Sequence, residues 1–184
     1  MPPTAPAVPH AALVAAGFDI KGLKTWRTHD GGAYQYTLTH NGKAVATVTE
    51  DGLGGPIDIR WMSMTWDGSL VAGFNATPAQ IKKATAQYAL SKAAKDALDA
   101  FVAALPPHHY NGKDLKVDVG WVAEELVNIA AIRKDLRKKT LFRIDGTEYQ
   151  IKAVYDAKIA AYIKNTHPMA VILNEDPAYA VAAG

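Results

Sequence analysis

The chain contains no cysteine. Disulfide bonds, thiolate metal sites and a cysteine nucleophile are therefore excluded in these residues, and the absence fits a reducing compartment. Long apolar runs are missing too, since none approaches the roughly 20 residues that cross a bilayer as a helix. The first residues have no basic segment ahead of their short apolar piece, which is unlike a secretory signal peptide. We therefore expect a cytoplasmic protein without membrane contact.

Sequence motifs of common catalytic and metal sites are also missing. The six histidines form no H-x-H or H-E-x-x-H pattern. The adjacent His108 and His109 are more typical of a surface loop than of a metal site. No G-x-S-x-G motif marks a nucleophile. We therefore expect no metal and no cofactor, and the sequence favours a protein that is not an enzyme.

A strong excess of one charge is likewise absent. The net charge of +2 neither demands nor excludes a nucleic-acid partner, so the distribution of the charges must decide. The 184 residues are enough to bury the core of one domain. Hydrophobic residues make up 49% of the chain and charged residues 21%, which is typical of an ordinary globular protein.

The clearest structural signal is Asn41-Gly42, which lies between two segments that alternate apolar and polar residues. Asn-Gly suits the type I′ turn of a two-residue β-hairpin, because both central residues need a positive φ. Such a turn would place Leu38 opposite Val45, with Tyr36 on the same face. We expect this face to pack against a helix.

The remaining patterns predict strands and helices around this hairpin. Thr77 followed by Pro78 is typical of a helix N-cap and first turn, and Asp118 is the N-cap expected for the second long helix. The predicted elements are strands at 18–27 (with a bulge at Gly22), 34–40, 43–49, 57–62 and 170–173, helices at 78–105, 118–138 and 156–164, a loop at 106–116 and a second hairpin around Asp145-Gly146.

These elements predict an α+β fold. We expect an antiparallel sheet of about four strands packed on the long helix, with a smaller C-terminal helix and hairpin part. The proline and alanine content of residues 1–17 predicts a disordered or loosely attached arm. Residues 18–174 would form a single domain, and residues 175–184 a tail.

Two segments resemble small uncharacterised proteins of bacteriophages and bacterial mobile elements. They are NGKAVATVTEDGLGG at 41–55 and LRKKTLFRIDGTEY at 136–149. Members of this group share a strand pair, a glycine-rich loop of the NDG-x-GG type, a helix and a KKTLFR-like strand. Glu50-Asp51 stands here where the group has Asn-Asp. The resemblance runs from the first strand to Leu173, and it implies a phage or prophage origin without naming a chemistry.

The glycine-rich loop that carries Asp51, Gly52, Gly54 and Gly55 is the first candidate site. Its backbone N–H groups suit an anion, and Asp51 with Asp58 and a histidine would be the catalytic set of an enzyme. The loop lacks the Gly-Lys-Ser/Thr and the following helix of a P-loop. A structural turn, with Asp51 bonded to the loop's own N–H groups, is the favoured interpretation.

A basic cluster near the end of the second long helix is the second candidate site. Its six members are Arg133, Lys134, Arg137, Lys138, Lys139 and Arg143. Helical residues four apart share a face, so such a cluster suits the phosphates of nucleic acid or a nucleotide. Cations also complement the negative end of the helix dipole. A solvated helix end is the favoured interpretation, and anion binding is the alternative.

An aromatic and methionine-rich stretch is the third candidate. It consists of Trp61, Met62, Met64 and Trp66. Such side chains suit a partner surface. Large apolar side chains are mostly buried, however, so core at the sheet edge is the favoured interpretation.

The sequence as a whole favours a non-catalytic binding protein of phage type. It would act on a host protein in the host-cell cytoplasm, as an inhibitor of a defence enzyme or another host enzyme. Two alternatives stay open: nucleic-acid or nucleotide binding through residues 133–143, and an enzyme with a site near residues 51–56. Self-association through the alanine-rich first long helix also stays open.

Overall fold

The computed structural model describes residues 8–73, 75–110 and 112–179. The α-helices are α1 (His10–Ala15), α2 (Pro78–Ala104), α3 (Val119–Leu136) and α4 (Ala157–Thr166). The strands are β1 (Phe18–Arg27), β2 (Gly32–His40), β3 (Lys43–Glu50), β4 (Asp58–Trp61), β5 (His108–Tyr110), β6 (Lys113–Leu115), β7 (Thr140–Ile144), β8 (Thr147–Ile151) and β9 (Val171–Ile172). Two 3-10 helices, Leu173–Glu175 and Pro177–Tyr179, follow β9.

A four-stranded antiparallel sheet in the order β1-β2-β3-β4 forms the centre of the fold. One face of this sheet packs against α2 and α3, and their shared core includes Tyr36, Leu98 and Leu126. In a second sheet, β7 lies between β8 and β9, and α4 packs against it through Ile163. The predicted α+β fold, with its long helix and smaller C-terminal part, is therefore confirmed.

The two predicted hairpin turns form as expected. Asn41 and Gly42 have φ angles of 49° and 73°, and Asp145 and Gly146 have φ angles of 49° and 79°. These positive values are the ones that a type I′ turn requires. The register next to each turn follows from them, because a two-residue loop leaves no freedom in the first pair.

The segment 106–116 is not the simple loop that the sequence predicted. Residues 108–110 pair with residues 113–115, so β5 and β6 form a small antiparallel hairpin. The signal was present in the sequence, since positions 111–112 are again Asn-Gly. The prediction of a loop is therefore wrong for these two strands.

The register of β2 and β3 changes beyond the Asn41-Gly42 turn. Leu38 lies opposite Ala46 and not opposite Val45 as predicted. Val45 is the extra residue of a β-bulge, and both Val45 and Ala46 are buried. The bulge turns two consecutive side chains to the core, which strict alternation along a strand cannot do.

The first described residues are part of the fold and not a loose arm. Val8 and Leu13 are completely buried, and α1 packs against β1, α3 and the second 3-10 helix. The proline and alanine content of the segment gave no sign of this packing, in which Val14 and Ala16 also take part. The prediction of an arm is wrong for residues 8–17, and residues 1–7 lie outside the described part.

The predicted tail also packs on the core where it is described. Ala178 and Tyr179 are buried. The Asn174 side-chain oxygen accepts a hydrogen bond from the Leu141 N–H at 3.0 Å, which fixes the start of this segment to β7. The prediction of a tail is therefore wrong for residues 175–179, and residues 180–184 lie outside the described part.

The long helix α2 begins as predicted. Thr77 and Gln80 form a capping box, in which each side chain is bonded to the backbone N–H of the other. Ala94 and Leu98 in its second half are buried, and Gln87 donates a hydrogen bond to the Ala44 carbonyl oxygen of β3 at 2.9 Å, while Ile81 is exposed. Only the first turns of α2 therefore project beyond the core.

Candidate functional site

The basic cluster of residues 133–143 is divided between structural and exposed side chains. The Arg133 side chain is only 12% exposed, and its guanidinium donates to Asp19 Oδ1 at 2.7 Å. It also donates to the Ala178 carbonyl oxygen at 3.3 Å. Arg133 therefore ties β1 and the C-terminal segment to α3, and it is not available to an external phosphate.

Two further members of the cluster also have partners. Lys139 Nζ lies 2.9 Å from an oxygen of Asp135, and the Arg143 guanidinium lies 3.5 Å from an oxygen of Glu148. The members that are exposed and have no ion pair within the described residues are Lys134, Arg137 and Lys138. Three of the six cations in this cluster therefore have partners within the fold, and the other three face solvent.

The glycine-rich loop is a braced turn with Gly52 buried at its centre. Gly52 has a φ of 74°, and its carbonyl oxygen accepts a hydrogen bond from Thr28 Oγ1 at 2.9 Å. The Leu53 N–H donates to Asp51 Oδ1 at 2.9 Å, and the Gly52 N–H donates to Glu50 Oε1 at 2.9 Å. Two N–H groups that an anion would need are therefore already bonded to carboxylates.

A cleft of about 500 Å³ lies between this loop and α3. Its polar lining includes Asp30, Tyr34, Glu50, Glu124 and Asn128. Neither Asp51, Asp58 nor a histidine is among its lining residues. The structure therefore does not assemble the catalytic set that the sequence suggested for an enzyme at this loop.

The sequence did not point to Glu124 and Tyr34 as members of this cleft. Burial raises the pKa of the Glu124 carboxyl, and the neighbouring Glu125 and Glu50 raise it further. Burial also raises the pKa of the Tyr34 hydroxyl, whose oxygen has no hydrogen-bond partner within the described residues. No local motif reveals this grouping, because β2, β3 and α3 meet only in the folded chain.

A half-buried histidine clamp forms at Glu125, the α3 residue next to Glu124. The His10 Nε2–H donates to Glu125 at 2.6 Å, and Nδ1 lies 2.7 Å from the Tyr179 hydroxyl. Burial acts to raise the pKa of the Glu125 carboxyl, but the hydrogen bonds from His10 and Asn128 outweigh it and leave the pKa below its usual value. The clamp joins α1, α3 and the C-terminal segment.

Neutralising the adjacent Glu124 and Glu125 should change stability in opposite directions. At neutral pH, Glu125→Gln should lower the free energy of unfolding by about 1 kcal/mol, because a neutral acceptor makes a weaker hydrogen bond. Glu124→Gln should raise the melting temperature, because it removes a charge that its surroundings disfavour. Thermal unfolding from acidic to neutral pH measures both effects.

The pH dependence of the two variants follows from the direction of each pKa shift. The stability that ionised Glu125 contributes is present above the ordinary pKa of 4.5 and is lost as pH falls through its lowered folded value. The penalty of ionised Glu124 grows as pH rises above 4.5 through its raised folded value. Both differences from wild type should vanish in acid. Shifts of the same sign at neutral pH would contradict this assignment.

Trp66 is 99% exposed on a turn that hydrogen bonds hold in place. The Thr65 N–H donates to the Ser69 carbonyl oxygen at 2.9 Å, and the Ser69 N–H donates to Thr65 Oγ1 at 3.0 Å. The Tyr88 hydroxyl donates to the Gly68 carbonyl oxygen at 3.0 Å and fixes the turn to α2. The interpretation of this stretch as core is therefore wrong for Trp66.

Asp67 completes the bracing of the Trp66 turn. Its carboxylate accepts hydrogen bonds from the Thr65 hydroxyl and from the Ser69 N–H and hydroxyl. These bonds hold the pKa of the Asp67 carboxyl below its usual range. The carboxylate is thus ionised, and the turn stays braced, throughout the neutral range.

A groove of about 650 Å³ lies beside Trp66, between β4 and α2. Its walls include Asp58, Ile59, Arg60 and Trp61 of β4, with Trp66 on one side and Lys95 of α2 on the other. β4 is the last strand of its sheet, so its outer edge pairs with no strand of the described residues. The groove and the exposed indole thus lie side by side on the surface.

Comparison of the chain with protein-family models, with curated proteins and with solved structures finds no match. Within the described residues, no group of three or more histidine or acidic side chains could hold a metal ion. No described helix is long and apolar enough to cross a membrane.

Proposed function

We propose that this chain is a binding protein without catalytic activity, and that it contacts a protein partner through the Trp66 turn and the neighbouring groove. The observation that carries the proposal is the complete exposure of Trp66 on a braced turn. Tryptophan is among the residues that contribute most to protein interfaces, because one side chain buries a large area. Exposing the apolar surface of an indole to water is unfavourable, and a partner that covers the ring would remove this cost.

The bracing of the turn matters as much as the exposure of the indole. A loop that is already held in one conformation loses little conformational entropy when it binds. Thr65, Asp67 and Ser69 fix the backbone on both sides of Trp66, and Tyr88 fixes the turn to α2. The surface is therefore organised before a partner arrives, as expected of a rigid anchor that enters a pocket.

The resemblance to phage and mobile-element proteins supports a partner from a bacterial host. The partner would be a host protein in the cytoplasm, and binding would inhibit a defence enzyme or another host enzyme. An inhibitor needs surface complementarity and no catalytic groups of its own. This requirement agrees with a site whose most prominent feature is an apolar anchor beside a polar groove.

Affinity capture from a bacterial host lysate, followed by a measured dissociation constant for the captured protein, tests the proposal. Trp66→Ala should weaken binding about 30-fold or more, which corresponds to the loss of about 2 kcal/mol for an interface anchor. The variant should fold normally, because the Trp66 side chain that it removes makes almost no contact within the described structure.

Trp26→Ala is the matched control, since Trp26 is also an exposed tryptophan but lies on β1, at the opposite edge of the sheet. It should leave the affinity for the protein partner unchanged. Equal affinity of wild type and Trp66→Ala would contradict the proposed surface. Absence of any specific partner, together with a measured turnover, would contradict the proposed function as a whole.

A further inference from the structure

The face of the central sheet that points away from the helices carries two rows of polar residues. The pairing of the strands sets the rows: Lys21, Thr37, Thr47 and Arg60 form one, and Lys24, Gln35, Thr49 and Asp58 form the next. Side-chain bonds confirm that neighbours share this face. Gln35 Nε2 donates to Thr49 Oγ1 at 3.3 Å, and Arg60 Nε lies 2.6 Å from Asp58 Oδ2.

Solvent reaches most of the residues in these rows. None of the eight residues belongs to a hydrophobic cluster. The three threonines are half-buried and the other five residues are exposed. A four-stranded sheet with one face on its helices and one polar face open is the arrangement that lets an extended ligand lie across the strands.

The free positive charge of this face is concentrated at the β1 edge. Arg60 is already paired with Asp58 at the β4 edge. Lys21 and Lys24 have no ion pair or side-chain hydrogen bond within the described residues. Trp26 lies beyond Lys24 along the same strand, and 44% of its side chain is exposed.

Lysines on an edge strand also have a simpler role, since they discourage the edge from pairing with another sheet. That role accounts for Lys21 and Lys24, but it does not account for an exposed indole two residues from Lys24. Strand alternation puts Trp26 on the same side as Lys24. A stacking surface beside phosphate-binding groups is the combination by which proteins hold single-stranded nucleic acid.

We propose that the open face of the β1–β4 sheet binds single-stranded nucleic acid. One base stacks on Trp26, and Lys21 and Lys24 contact the phosphates on either side of the path across the sheet. The row threonines and Gln35 supply hydrogen bonds to the bases or sugars. Asp58 and Arg60 at the β4 end of this site also line the groove beside Trp66. The proposal rests on the β1 side of the face, and it does not depend on the protein-binding function.

Fluorescence anisotropy of labelled oligothymidylate and oligouridylate, measured at several salt concentrations, tests this proposal. The wild type should bind, and its affinity should fall steeply as salt rises. Lys21→Gln/Lys24→Gln should reduce the slope of log affinity against log salt by about 1.4, since each phosphate contact on a single strand contributes about 0.7. Trp26→Ala should weaken binding about tenfold or more, and Trp26→Phe should restore most of it.

Matched controls keep the result specific to the sheet face. Lys82→Gln/Lys83→Gln removes the same charge from exposed positions of α2, and Tyr162→Ala removes an exposed aromatic ring from α4; both should bind like the wild type. No binding by the wild type at low salt would overturn the proposal. So would a loss of the salt slope with Lys134→Gln/Arg137→Gln/Lys138→Gln in place of the Lys21/Lys24 pair, because that result would put the nucleic acid on the basic helix end.

Discussion

Replacing Gly52 by alanine should destabilise the protein by about 2–5 kcal/mol. A Cβ at this position would lie 2.6 Å from Thr28 Oγ1 and 3.1 Å from the Gly32 carbonyl oxygen. The backbone cannot relieve the contact, because Gly52 has a φ of 74° and is hydrogen bonded on both sides. The left-handed conformation costs about 1–2 kcal/mol for alanine, and overpacking adds about 1–3 kcal/mol.

Gly54→Ala separates these two causes. Gly54 has nearly the same φ, 76°, but a Cβ there would meet no atom within 4 Å. It should therefore cost only the conformational part, about 1–2 kcal/mol. Denaturant unfolding of both variants measures the difference. Equal losses would show that Thr28 and Gly32 yield to the new methyl group, and the loop would then be more pliable than its hydrogen bonds indicate.

Leu13→Ala should lower the free energy of unfolding by about 2–5 kcal/mol, the range for truncating a buried leucine. Leu13 is 0% exposed, and it brings α1 into the main core. The effect would be large for a residue in a segment whose composition predicts a loose arm. Denaturant unfolding monitored by circular dichroism measures the change.

Leu53→Ala is the control for Leu13→Ala. The Leu53 side chain is 64% exposed, so the same truncation should change stability by no more than about 0.5 kcal/mol. If α1 were only loosely attached to the rest of the chain, the two variants would be equally stable. A clear difference between them would show that the first described residues contribute to the folded state.

The elements that the sequence predicted well are those with local causes. The Asn41-Gly42 turn and the Thr77 N-cap depend on residues within a few positions, so the local sequence is enough to predict them. The bulge at Val45 is different, because it depends on two consecutive side chains both finding space in the core. The 3-10 helices after β9 are likewise ordered by contacts with β7, α1 and α3.

The candidate sites were predicted less well than the fold, because they depend on residues that are distant in the sequence. Arg133 belongs to an obvious basic cluster, but its partner Asp19 lies far away in the sequence. Spacing along a helix could not reveal that this cation is used by the fold. Trp66 is the opposite case, since composition favours burial for tryptophan, and only the braced turn explains its exposure. The open polar face of the sheet could be identified only from the register of all four strands.

The clamp between His10 and Tyr179 joins positions that are 169 residues apart. Closing so long a loop costs chain entropy that one contact cannot offset alone. We therefore expect this contact to form after the local hairpins and after the sheet has packed on its helices. By the same reasoning, α1 and the C-terminal segment would be the first parts to open in native-state fluctuations, while the central sheet stays intact.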